Sequence, residues 1–418
     1  MFDKLKRNIV LQNIGALGLY QLSQYLFSFI TFPYIVRVLG PEKFGLVSFA
    51  LSLSFYFNML VDYGFNFSAP RDISINRNNV SELRKIFWSV ISIKFFLMLI
   101  GFAVLLAVIN FFGAFQTNKI IFLTAFGFVA GNVLFPIWFF TGIERTKYIA
   151  VINILFRTII TICIFIFIKT SSDFSLYLAL ISGGAVLIGI AAFLYAIIKF
   201  KLFFLKPEIK EITGQLKNGF GLFISNISIS FYTNSTVFIL GLIATKEIVG
   251  YYSAAEKIIT ASIAIFFPIS QALYANISFR VSQSANDALI FLKKIMKYMA
   301  VFGLFLSLIL LIFAGQISEL ILGSGYPETI NLIRVLSFLP FILSMSIVFA
   351  NLFLLAFGHT KLWNKLIFST LIFYIAGAVF FLNLMSNVLL ASGINLLLTE
   401  MFLMMLAFVA YKKLSKEL

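Results

Sequence analysis

The chain has almost none of the residues from which catalytic or metal centres are usually built. Its 418 residues include one cysteine, Cys163, and one histidine, His359. A single cysteine forms no intramolecular disulfide, and no thiol spacing suited to zinc or redox chemistry exists. One loop histidine leaves no material for a Ser-His-Asp triad or a histidine-rich metal site, so no metal and no organic cofactor is expected. Charge is scarce too. Asp, Glu, Lys and Arg make up 11% of the chain, against about 25% in soluble proteins. With a mean hydropathy of +1.02, the chain lacks the polar surface to face water all round. Acidic residues are the rarer sign, 16 against 32 basic, for a net charge of +16. In a soluble protein such an excess points to nucleic acid. Here the basic residues sit in loops beside apolar runs, which makes them a topology signal and excludes nucleic acid as a partner.

What the chain has in abundance is long apolar runs. Residues 95–116, 120–141, 174–198, 298–318 and 366–386 contain no charged residue. About 18 such residues suffice for a helix to cross the ~30 Å hydrocarbon core. Twelve spans are expected, at about 11–36, 44–66, 86–112, 119–141, 149–168, 174–198, 219–243, 249–278, 298–322, 332–357, 366–385 and 388–411. The first has basic residues before it, as a signal peptide does. Its apolar run continues to Val36, too far for a signal core, so it is read as a retained span. The 53 phenylalanines are read as lipid-facing and core filler rather than as an aromatic ligand box. Loops on the N-terminal side hold 23 Lys and Arg and the opposite side holds 6; Lys94, Arg157 and Lys257 lie within spans. That bias puts both termini in the cytoplasm.

The chain also repeats itself. LGPEKFGLVSFA (39–50) aligns with IATKEIVGYYSAA (243–255) at an offset of 205 residues, with Gly45 on Gly250, Ser48 on Ser253 and Ala50 on Ala255. The offset is near half the chain, and parallel repeats of this kind build two-lobed transporters. The expected organisation is a six-helix lobe over 1–198, a cytoplasmic amphipathic linker over 199–217 lying on the anionic inner leaflet, and a second six-helix lobe over 218–418.

Charges inside spans mark functional candidates, because burying them in lipid costs several kcal/mol. Asp62, Lys94, Arg157, Glu256, Lys257 and Glu400 are so placed. Asp62 can cap a helix at the interface, Lys94 can snorkel, and Glu400 serves equally as a helix-pairing partner or a proton site. Arg157 is the hardest to dismiss, since a guanidinium stays charged and matches phosphate oxygens bidentately. Glu256 and Lys257 differ by about 100° around a helix, so at most one faces a cavity squarely. Uncharged polar residues cluster in corresponding spans of the two halves: Asn13, Gln21, Gln24 and Asn58, then Asn226, Tyr232, Asn234 and Gln271. They suit sugars, or interhelical hydrogen bonds. The candidate site for an anionic, glycan-bearing ligand is therefore Arg157, Lys94, Lys257, Gln21, Gln24, Asn226 and Asn234. The candidates for ion coupling are Asp62, Glu256 and Glu400.

Several segments resemble a known family. TFPYIVRVLGPEKFGLVSFA (31–50), VDYGFN (61–66), FWSVISIK (87–94), PIWFFTGIE (136–144), YYSAAEKI (251–258) and PISQALY (268–274) are similar to bacterial O-antigen flippases of the Wzx type (RfbX-like). These form the polysaccharide-transport branch of the multidrug/oligosaccharidyl-lipid/polysaccharide (MOP) exporter superfamily. The resemblance implies an all-α polytopic membrane protein with two six-helix bundles about a central cavity, like the MATE exporters of that superfamily. It implies movement of undecaprenyl-pyrophosphate-linked oligosaccharide to the periplasmic leaflet of the inner membrane, driven by an H⁺ or Na⁺ gradient, with a polysaccharide polymerase and a chain-length regulator as partners. By position, Asp62, Lys94 and Arg157 are similar to charged sites of the family's first lobe, while Glu256 and Lys257 fall in a more variable stretch. The runner-up function is a drug or organic-cation antiporter of related fold, which would favour surplus carboxylates. An enzyme of glycan polymerisation is disfavoured, because no outer loop exceeds about a dozen residues. A lipid II flippase is a neighbour in the superfamily and would have two further helices.

Overall fold

A computed structural model describes residues 2–416; at 2–17, 19, 22, 25, 222, 224–226, 228 and 229 the backbone alone is described. Regular structure among these residues is helical throughout. Ten stretches are long and apolar enough to cross a membrane. One of them, Leu26–Ile75, holds the end of the first expected span and all of the second, on either side of a break at Gly40. The expected seventh span falls on the helix Ile209–Ile243, whose shorter apolar part is Ser230–Ile243.

The break at Gly40 has a local cause. Its backbone lies at φ 69°, ψ 171°, a region open essentially to glycine alone, and Pro41 follows. Gly40→Ala keeps the space, since nothing lies within 4 Å of an added Cβ, but strains the chain. It is expected to cost about 1–3 kcal/mol, read as a lowered melting temperature of the purified protein in detergent.

The chain forms two compact units, Met1–Ile227 and Ser228–Leu418. The division falls inside Ile209–Ile243. The first part of that helix packs with the first unit: Gln215 Nε2 donates to Asp72 Oδ2 at 3.0 Å, and the rings of Tyr63 and Phe223 stack at 4.6 Å. Of the stretch 199–217, residues 202–208 form no regular structure. Trp88 Nε1 donates to the Leu202 and Phe203 carbonyls (3.0 and 3.2 Å), and Arg84 Nε donates to that of Lys201 (2.8 Å), leaving Phe203, Phe204 and Ile209 exposed. The first unit is built on an aromatic cluster of Phe65, Phe87, Trp138, Phe139 and Phe140, all fully buried. In the second, Val348, Leu352, Phe353 and Leu354 are the fully buried centre. Other aromatics, Phe95, Phe96 and Phe111 among them, project outward from apolar helices as lipid-facing residues do.

Three of the interrupted apolar segments among the described residues border the cavities described below. Lys119–Leu134 gives way to Ile137–Gly142 across Phe135 and Pro136. Lys246–Ile263 breaks before Phe266–Gln283. Pro327–Leu355 consists of two short helices followed by a π-helix, Ile347–Leu355. Irregular backbone at membrane depth persists only where protein buries it or where it lines a polar cavity, so the breaks locate the sites.

Candidate functional site

The break at Pro136 lies on a cavity of about 370 Å³ in the first unit, within the range of ligand pockets. Its polar wall is made by Arg157, Tyr20, Gln24, Asn132, Asn153 and Tyr177. Asn153 and Arg157 stand one helical turn apart on Thr146–Phe167, so they share a face. Gln24 Nε2 donates to Asn153 Oδ1 at 3.1 Å. Arg157 Nε is buried without a hydrogen-bond partner among the described residues. A guanidinium beside three amides and two phenols offers charge-assisted donors to an anion and adaptable partners to hydroxyls.

Lys94 is placed differently from the expected substrate cation. It is fully buried, and its Nζ donates to Asp62 Oδ1 and to the Asn132 backbone carbonyl, both at 3.3 Å. The other Asp62 oxygen accepts from Asn66 Nδ2 at 2.7 Å, while Asn132 Nδ2 donates to Asn58 Oδ1 at 3.0 Å. The structure thus joins one residue assigned to substrate with one assigned to coupling in a single ion pair, which neutralises both. Lys94 is closed off from any outside partner, and neither residue lines the cavity.

The second unit holds a cavity of about 360 Å³. Glu256 and Glu400 both line it, with Tyr232, Thr233, Thr260, Ser346 and Asn351 among otherwise apolar neighbours. Glu400 is 6% exposed, and its Oε2 has no hydrogen-bond partner among the described residues. The π-helix supplies Asn351, in keeping with the frequent use of π segments at functional positions. The charge that lines the two cavities therefore differs in sign: an arginine in the first, two carboxylates in the second.

The remaining candidates lie apart. Lys257 is exposed and lines neither cavity, as its 100° offset from Glu256 requires. Gln21 is half-buried and lines neither. Asn234 is exposed and bonds within its own helix, to Thr233 Oγ1 and the Ser230 carbonyl. The side chain of Asn226 lies outside the described residues. Asn132, Asn153, Tyr177 and Asn351 were not singled out from sequence. Two of them carried a readable signal: Asn153 is one turn from Arg157, and Asn132 is four residues before a proline.

With this geometry in hand, the relatives are informative. A family model described as "Polysaccharide biosynthesis protein" matches residues 10–279. The chain belongs to this family. An Escherichia coli (strain K12) protein named "Putative O-antigen transporter" is 31% identical over 363 residues, covering 87% of this chain and 86% of that one. A Shigella dysenteriae protein of the same name is 26% identical over 372 residues, covering 88% and 90%. Among solved structures, "Lipid II flippase MurJ, inward closed conformation" superposes with a TM-score of 0.72 at 14% identity, over 96% of this chain and 87% of that one. An inward-facing multidrug resistance MATE family transporter of the MOP superfamily gives 0.70 at 15% identity, over 94% and 93%. The fold is thus that of these MATE and lipid II flippase structures, as the sequence resemblance implied, and the chain is a multi-pass membrane protein.

Proposed function

We propose that this member of the polysaccharide biosynthesis family is a flippase. It moves undecaprenyl-pyrophosphate-linked oligosaccharide units from the cytoplasmic to the periplasmic leaflet of the inner membrane by alternating access. The observation that carries this reading is the first-unit cavity, where Arg157 meets Gln24, Asn132 and Asn153. Pyrophosphate is the anionic part of the substrate, and a guanidinium in low dielectric holds it by bidentate, charge-assisted bonds. The amides and phenols receive sugar hydroxyls, and the polyprenyl chain stays in lipid. The protein acts as a transporter rather than an enzyme: positioned donors bind and release, and no nucleophile is needed. The two relatives named as O-antigen transporters support the same substrate class. The 23-to-6 basic bias supports cytoplasmic termini. A polysaccharide polymerase and a chain-length regulator are the proposed partners downstream.

Coupling to an H⁺ or Na⁺ gradient is assigned to Glu256 and Glu400. A carboxylate in apolar surroundings is tolerated only with a proton, a cation or a partner group, which makes the pair a natural place for the driving ion. Glu400→Gln keeps the shape and removes the charge. In proteoliposomes it is expected to abolish the acceleration of transport by an imposed gradient while leaving the gradient-free rate in place. Undiminished acceleration in the variant would remove Glu400 from the coupling mechanism.

One observation favours the second reading, an organic-cation antiporter: two carboxylates share the second cavity. Complementation separates the two. The gene is expressed in a flippase-deleted host that makes the cognate lipid-linked glycan. Restored surface polysaccharide supports the flippase. Absence of surface glycan from a membrane-inserted protein, together with resistance to lipophilic cations, supports the antiporter.

A further inference from the structure

Asn132 stands where the helix Lys119–Leu134 fails. In an unbroken helix its carbonyl accepts the N–H of residue 136. Residue 136 is proline and has no N–H. The Asn132 carbonyl receives instead a long bond from Phe135 N (3.3 Å) and one from Lys94 Nζ (3.3 Å). Lys94 therefore replaces the donor that the proline removes, and a cation at a helix C-terminus also meets the negative end of its dipole. Asp62 pairs with the same ammonium at 3.3 Å and offsets the cost of burying it. Asn132 lines the first-unit cavity while its Nδ2 is tied to Asn58, itself buried. Cap and cavity wall are thus the same residue.

We propose that Lys94, held by Asp62, is a positioning residue: it caps the broken helix at Asn132 and fixes the Asn132 side chain on the wall of the substrate cavity. The proposal rests on the flippase reading of that cavity. It makes Lys94 act through Asn132 and not on substrate, and it makes the interaction directional. An ammonium donates to a carbonyl, whereas a carboxylate in its place has no proton to donate.

The test is a double-mutant cycle between Lys94 and Pro136, scored as surface glycan per membrane-inserted molecule in the complementation host. Lys94→Met is expected to lower export about tenfold at matched abundance. Pro136→Ala returns the missing N–H, so Lys94→Met/Pro136→Ala is expected to recover most of that loss. Asn132→Ala is expected to match Lys94→Met, with no further loss on combining them. The charge swap Asp62→Lys/Lys94→Asp is expected to stay inactive. Export restored by the swap would mean a simple ion pair and overturn the proposal. So would equal losses from Lys94→Met with and without Pro136. The same cycle is read by thermal melting of the purified variants, where Pro136→Ala is expected to recover the stability lost with Lys94. A wild-type protein that exports no glycan refutes the flippase reading, and the melting cycle still decides whether Lys94 is the cap.

Discussion

Arg157→Ala is expected to remove export of the lipid-linked glycan while leaving membrane abundance unchanged. Arg157 brings the only formal charge on the described wall of the first cavity, and its Nε has no protein partner there to lose. Among the described residues, truncation therefore breaks no hydrogen bond at Nε and leaves no orphaned carboxylate behind. On the proposed reading, what it removes is the interaction with the pyrophosphate. Losing one member of a buried, hydrogen-bonded charge pair costs about 3 kcal/mol, roughly a hundredfold in affinity. Arg157→Lys keeps the charge but not the fork, and an intermediate loss is expected because a point charge cannot bind two oxygens in parallel. The measurement is surface glycan against membrane abundance for the series Arg, Lys, Ala. Equal export by all three would return Arg157 to a structural role.

Gly131→Val is expected to be the most damaging substitution to folding near the site. Gly131 lies against the helix Phe174–Phe200 with backbone touching backbone. A Cβ on Gly131 would lie 2.4 Å from the Ala185 carbonyl carbon, and one on Gly189 would lie 2.5 Å from the Gly131 carbonyl oxygen. Neither neighbour is the end of a flexible side chain, so the helices must separate. That places the cost at or above the top of the ~1–3 kcal/mol typical of overpacking. Gly131 is also on the cavity wall, so a variant that does insert should bind substrate poorly. A melting temperature equal to that of the wild-type protein would show that these helices are not in backbone contact.

The fold was legible in the sequence to the extent that it is written in hydropathy. Every expected span falls on a helix or on helices joined at a break, because a charge-free run of 20 residues has few alternatives in lipid. The breaks themselves were not legible. Residues 332–357 read as one apolar segment, yet they hold two short helices and a π-helix. A π turn changes the register of hydrogen bonds without changing composition. Gly127 and Gly131 form a small-xxx-small pair in the fourth span, a signal for close helix approach, but which helix approaches is a tertiary fact.

The candidate site divides along the same line. Arg157, Gln24, Glu256 and Glu400 could be selected because a polar group in a span needs a destination. Lys94 and Asp62 were selected for the same reason, and they satisfy each other across 32 residues of sequence. Periodicity says which residues share a face of one helix. It does not say which face meets which, so an ion pair and a substrate cation look alike until the helices are packed. Asn132 was overlooked because an asparagine in a long apolar run reads as incidental, although Pro136 downstream marked the carbonyl that would need a new donor.

The most direct measurement is flipping by the purified protein in liposomes carrying its fluorescent undecaprenyl-pyrophosphate oligosaccharide, scored by access of a membrane-impermeant reagent to each leaflet. Wild-type protein is expected to make the whole lipid pool accessible and Arg157→Ala to leave it half protected. Protection unchanged by wild-type protein, or lost equally with Arg157→Ala, would contradict a flippase that binds its substrate through this arginine.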